Sequence, residues 1–129
     1  MVKYEDLSRE LIRRFPELDF KFRQEIKIND DSDPGPHVVY GDVLAPHLVQ
    51  LLEEPSNRNQ LSKIFSFLEE LAVNPDIHVQ EVVAQSVLED VAQRATLLQA
   101  ARPFMGPRSR QMVREIGELW GIRHAEEFE

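Results

Sequence analysis

Apolar residues in the segment 76–92 recur too densely for a helix with a single buried face. Placed at 100° per residue, Ile77, Val79, Val82, Val83, Ala84, Val87, Leu88 and Val91 cover roughly 240° of the circumference. Such a helix is predicted to sit in the middle of a domain, with neighbours on most sides. Its polar remainder, His78, Glu81, Gln85 and Glu89, follows i, i+3, i+7, i+11 and forms one narrow strip left for water.

The flanking segments repeat the helical period. Tyr4, Leu7, Leu11, Ile12 and Phe15 share one face of a first helix, and Pro16 ends it. Residues 18–28 fit two patterns, since Leu18, Phe20, Phe22, Ile26 and Ile28 alternate like a strand while Leu18, Phe22 and Ile26 share a helical face. A helix is favoured, because the sequence offers no second strand to pair with. The run NDDSDPGP at 29–36 collects acidic and turn-forming residues and is expected to be a mobile loop.

Val43, Leu44, Leu48, Leu51 and Leu52 predict a buried face over Val39 to Glu54, with Pro46 near a first turn or kink and Pro55-Ser56-Asn57 as the break. Leu61, Ile64, Phe65, Leu68, Leu71 and Ala72 form the next stripe, widened by Phe67. It closes at Asn74-Pro75, and Asp76 follows as a candidate N-cap. So short a connection predicts an antiparallel pair. After a short helical piece over 95–101, Gly106 breaks the chain and Pro107 restarts it. Met112, Val113, Ile116, Leu119 and Trp120 are the expected buried face of the last helix, which Gly121 ends, and the polar tail 123–129 is expected to fray.

These patterns specify an all-α fold: a single helical domain over 1–129, a bundle of about five to seven helices around the central helix at 76–92. With 129 residues, one core suffices. The net charge of −8, from 23 acidic against 15 basic residues, disfavours nonspecific attraction to nucleic acid or an anionic membrane and favours a basic partner. No cysteine is present, which excludes disulfides and thiolate chemistry, and no apolar run reaches the ~18 residues of a membrane span. A cytoplasmic location is the expectation.

Catalytic patterns are lacking. His37, His47, His78 and His124 are never three or four apart, and no Glu-x-x-His pair occurs, so no metal is expected. Asn29, Asp31 and Asp33 alternate as in a calcium loop, but Pro34 stands where that loop needs glycine and Tyr40 where it needs glutamate. No serine lies in a nucleophile motif and no glycine-rich phosphate loop exists, so neither an enzyme nor a cofactor is expected.

Two features remain as candidate binding chemistry. Acids gather at Glu69, Glu70, Glu89 and Asp90 near helix ends and at Asp30, Asp31 and Asp33 in the loop. Against them stands one basic island, Arg102, Arg108, Arg110 and Arg114, around the start of the last helix. It can hold an anion at the helix N-terminus or pair internally with the surplus acids. No aromatic residues interleave those arginines as single-strand binding would want.

The stretch Leu44 to Val91, with its Asn-Pro-Asp turn and the run Ile77-His-Val-Gln-Glu-Val-Val-Ala, resembles the second half of a HEAT-type repeat, which implies HEAT-like hairpin packing. No period repeats, so no solenoid is implied. From Leu11 to Trp120 the chain is also similar to an uncharacterised family of small all-helical bacterial proteins. That likeness is carried by His37-Val-Val-Tyr-Gly-Asp-Val-Leu, Ile64-Phe-Ser-Phe-Leu-Glu-Glu-Leu, Val79 through Leu88, and Phe104-Met-Gly-Pro-Arg-Ser-Arg. Such families often neighbour polymorphic toxins, so the resemblance implies an immunity role and brings no catalytic residue.

The expectation is therefore a noncatalytic protein-binding domain, in its most concrete form an immunity protein that occludes the basic active site of a toxin. Its binding residues would be the strip His78, Glu81, Gln85 and Glu89 with Glu69, Glu70, Asp90, Asp30, Asp31 and Asp33. The rival from another class is a helical adaptor or homo-oligomeric scaffold. An enzyme using its carboxylates would need Glu69, Glu81 or Glu89 to converge in a pocket.

Overall fold

Prolines and glycines divide the chain where the hydrophobic period lapses, and the computed structural model, which describes residues 1–54 and 56–129, has eight helices and no strand among those residues. Helix α1 (Leu7–Arg14) follows a 3₁₀ turn at Tyr4–Asp6, and α2 (Asp19–Ile28) follows another at Pro16–Leu18. Next come α3 (residues 36–53), α4 (Arg58–Ala72), α5 (residues 77–92) and α6 (Ala95–Ala101). The last two are α7 (Pro107–Trp120) and the short α8 (Arg123–Glu126). Pro55, placed by its sequence in the break after α3, lies outside the described residues.

Residues 18–28 are helical: Leu18 is buried, Phe22 packs against the core and Ile26 is half-buried, while Phe20 and Ile28 point outward. The helix α3 begins at Pro36 rather than Val39, since a proline at the first helical position loses no hydrogen bond. Gly35, at φ 101°, supplies the sharp entry.

The valine-rich α5 packs against α3, α4, α6 and α7. Val79, Val82, Val83, Val87, Leu88 and Val91 are completely buried. Asp76 caps α5, its carboxylate accepting from the His78 amide at 2.9 Å. Asn74, in the turn before it, is buried and fully engaged: its amide donates to the Val2 carbonyl at 2.8 Å and its oxygen accepts from the Asp76 amide at 2.9 Å.

Both α3 and α5 contain a π turn, at Tyr40–Leu44 and Val82–Leu88, and these two turns face each other. In α3 the Ala45 amide reaches back to the Tyr40 carbonyl, and Pro46 follows at once. The widened turn accommodates a residue that has no amide and whose ring would crowd a regular helix. His37 and Ser86 join the two helices, Nδ1 to Oγ at 2.8 Å.

Two expectations at the C-terminal end are reversed. Leu119 and Trp120 are 75% and 60% exposed, although their spacing places them on the buried face of α7. The tail does not fray: α8 packs on α7 and α6, and Ala125 and Phe128 are buried. The cause is Gly117. A Cβ there would lie 2.3 Å from the Glu126 amide nitrogen, so the missing side chain lets the α8 backbone rest directly on α7. The tail covers that side of α7 and leaves Leu119 and Trp120 on the other. Gly121 turns the chain at φ 67°, and the Ile122 amide closes on the Gly117 carbonyl at 2.9 Å. His124 then ties α8 to the end of α5, its Nε2–H donating to the Ala92 carbonyl at 2.7 Å.

An aromatic and ionic cluster anchors α1. Phe67 lies 5.8 Å from Phe15 and 6.5 Å from Tyr40, centroid to centroid, and the Arg14 guanidinium sits 4.6 Å over its ring. The buried Tyr40 hydroxyl donates to the Leu7 carbonyl at 2.9 Å, and burial pushes the phenol above its usual range. Arg14 bridges Glu10, at 2.9 Å, and Glu70 of α4, at 2.8 Å.

Hydrogen bonds from Arg13 and then Arg14 lower the Glu10 carboxyl from 4.5 to about 2. A lowered carboxyl adds stability that is fully present above its unfolded value and is lost as pH falls through its folded one. Replacing Glu10 with Gln is therefore expected to destabilise the fold at neutral pH. The deficit should shrink below pH 4.5 and vanish near pH 2 in denaturation curves across pH. A deficit independent of pH would assign the loss to packing.

Candidate functional site

Helices α5 and α7 lie side by side in the same sense: Gln80 accepts from Arg108 at one end at 3.4 Å, and Glu89 neighbours the Trp120 indole at the other. Between them runs a groove of about 200 Å³. Its apolar lining is Ile77 and Ala84 from α5 with Met112, Ile116, Leu119 and Trp120 from α7. Glu81, Gln85 and Glu89 line one wall and Glu115 and Arg108 the other. Arg108 is paired with Glu115 at 3.0 Å, which leaves the rim acidic.

Three of the four strip residues thus share one surface, but it is not the thin hydrophilic edge expected. Ile77 is 56% exposed rather than enclosed, since it occupies the first position of α5 and opens onto the groove. Each bond that reaches back five residues, as from the Glu89 amide to the Ala84 carbonyl, takes up an extra residue. Positions beyond the π turn therefore lag the 100° count. Ala84, inside the π turn, and Glu89, just beyond it, are both half-buried and both line the groove. Burial pushes the Glu89 carboxyl above its usual range; the Trp120 indole counteracts this in part and the Asp90 charge adds to it. His78, the fourth strip residue, points elsewhere. Its ring meets Tyr4 edge-on at 6.1 Å, and its Nδ1 lies 3.9 Å from Glu81.

The remaining acids do not join this surface. Glu69 is the clearest correction: its carboxylate accepts from the Arg108 amide at 2.9 Å and from the Ser109 amide and hydroxyl at 2.9 and 2.8 Å. It caps the N-terminus of α7 from within the chain and is not available to a partner. Glu70 is engaged with Arg14 across α1 and α4. Asp90 is exposed outside the groove lining, its carboxyl raised by partial burial and then by the charge of Asp42. Asp30 and Asp31 adopt left-handed backbone geometry in the loop, which aspartate tolerates. Asp33 accepts from the Gly35 amide at 2.8 Å and from Ser8 at 3.3 Å.

Three of the four arginines in the basic island, Arg102, Arg110 and Arg114, are engaged by the chain's own backbone. Arg110 donates to the carbonyls of Met105, Arg102 and Glu129, Arg102 to that of Glu129, and Arg114 to that of Phe128. Of the four, only Arg108 pairs with one of the surplus glutamates, Glu115; the others hold main-chain oxygens. The helix N-terminus does hold an anion, as its chemistry suggests, but that anion is Glu69.

Wider hollows lie beside Phe67, at about 460 Å³, and beneath Met1 and Val2, at about 310 Å³. Arg14 and Glu70 line both and already neutralise each other. Burial lowers the His47 imidazole below its usual range, with Glu17 opposing, and its Nε2 lies 3.3 Å from Gln60. Among the described residues no group of three or more His, Asp or Glu side chains is placed to hold a metal ion. No helix among them is long and apolar enough to cross a membrane.

Because the Glu69 cap joins α4 to the start of α7, Glu69→Ala is expected to cost about 2 kcal/mol or more in chemical denaturation, the upper end for a lost helix cap. A change under about 0.5 kcal/mol, the range of ordinary surface substitutions, would show the cap to be dispensable.

No curated protein matches the chain, and no solved structure does. One family model matches residues 8–121, a span that includes the whole groove between α5 and α7. The chain belongs to that family, DUF7674, a domain of unknown function.

Proposed function

We propose that this protein is a noncatalytic binding domain whose groove between α5 and α7 receives a basic protein, and that in its most concrete form it is an immunity protein occluding the basic active site of a toxin. The observation that carries the reading is the pairing of exposed apolar side chains, Ile77, Leu119 and Trp120, with an acidic rim of Glu81 and Glu89, Glu115 being paired with Arg108. A tryptophan open to solvent at the end of a helix is an anchor of the kind that dominates binding energy, with Leu119 adding apolar area beside it, and the rim chooses the sign of the partner. The net charge of −8 extends the same preference beyond contact distance. HEAT-like packing of α4 and α5 belongs with this proposal, since helical hairpins of that type commonly serve as protein-docking ridges. The immunity form draws on the resemblance described above and on this charge balance.

Glu89 adds a pH dependence. Its carboxyl is raised in the free protein, and a cation brought against it favours the ionised form. Affinity is expected to rise as pH increases through the carboxylate range, and acidification should release the partner.

A photoreactive side chain at Gln85, on the groove, tests the proposal inside cells, with the exposed Gln50 of α3 as control. The expected result is an adduct from position 85 with a protein of net positive charge that position 50 does not give. Double reversal of Glu81 and Glu89 to Lys should reduce it about tenfold or more, the range over which charge steers association. If the captured protein arrests growth when expressed alone and co-expression of this chain restores growth, the immunity form stands. If it has no such effect, that form is overturned. Adducts indistinguishable between positions 85 and 50 would overturn the groove as the docking surface.

A further inference from the structure

The outer face of α2 is the chemical inverse of the groove. Leu18 and Phe22 turn toward the core and Ile26 is half-buried, which leaves Phe20, Gln24 and Ile28, spaced four apart, as a stripe along the outside. Phe20 is 76% exposed and Ile28 77%. On a helical wheel Arg23 and Lys27 border one side of that stripe and Lys21 the other, all three exposed. Arg23 is held by Asp19 at 2.8 Å, so the two lysines carry most of the unspent charge. In a chain of net charge −8 such a face runs against the overall balance.

Dimensions agree as well as charge. Helix α2 has 10 residues, or about 15 Å of length. The groove runs from Ile77 and Arg108 at one end to Glu89 and Trp120 at the other, about 18 Å at 1.5 Å per residue and so long enough to hold α2. Its apolar floor would receive Phe20 and Ile28, with Glu81 and Glu89 on one wall facing the basic flanks and Glu115 on the other held by Arg108.

We infer that α2 of one copy docks in the α5–α7 groove of a second copy, so that the protein self-associates weakly and fills its own groove. The two patches are different surfaces, which makes the contact heterologous. This inference goes beyond the proposed function and does not rest on it, since a foreign adduct from position 85 is measured independently of the oligomeric state.

Sedimentation velocity on the purified full chain, from micromolar to millimolar concentration, tests it. The wild type is expected to shift from monomer toward larger species as concentration rises, and less so in high salt. Phe20→Asp and Trp120→Asp, both at exposed positions and checked for retained helicity by circular dichroism, should each weaken association about tenfold or more, the scale of a lost anchor. The decisive measurement is the mixture of the two variants. Phe20→Asp keeps an intact groove and Trp120→Asp keeps an intact α2, so together they should form a one-to-one heterodimer at concentrations where each alone is monomeric. A wild type that stays monomeric throughout, or a mixture no more associated than its components, overturns the inference.

Discussion

A helix that is apolar around most of its circumference has to be enclosed, and the enclosure of α5 dictates the arrangement of this domain. Its fully buried valines and leucine cannot face water without losing about 1.5–3 kcal/mol for each large side chain exposed. With α3, α4, α6 and α7 packed around it, little of the surface of α5 remains. Apart from His78 and Asp90, what remains is mostly the groove wall. The same packing that satisfies the core thus decides where a partner has access, and it leaves α7 beside α5 as the opposite wall.

Much of this was legible because periodicity reports burial directly. The stripes of α1, α3 and α4, the N-cap at Asp76, the stop at Gly121 and the helical state of 18–28 all follow from side-chain spacing and turn chemistry. The failures share a different cause. Leu119 and Trp120 have the spacing of core residues, yet their burial depends on which neighbour covers α7. That depends in turn on a backbone contact at Gly117 for which no periodic signal exists. The tail was unreadable for the same reason: Ala125 and Phe128 are isolated apolar residues in a polar stretch, and only the tertiary contact gives them a place.

The candidate site was half legible. Glu81, Gln85 and Glu89 follow the helical count and meet on one wall, but the apolar floor between them needs α7, which sequence spacing on α5 cannot supply. The π turn shifts the count further, and its cue, a backbone bond reaching five residues back, is invisible in residue types. Glu69 shows how charge alone misleads. Its sequence context marks an acid near a helix end, and nothing local reveals that it reaches across to another helix and serves as that helix's cap.

The grip of Arg102, Arg110 and Arg114 on the last residues has a further consequence. All three hold main-chain oxygens of Phe128 and Glu129, which every amino acid possesses, so the clasp is indifferent to which side chain follows Phe128. Identity matters only for the ring of Phe128 in its slot. The end of the fold is therefore fastened by position rather than by composition, and residue 129 is free to vary in chemistry while the chain stays moored.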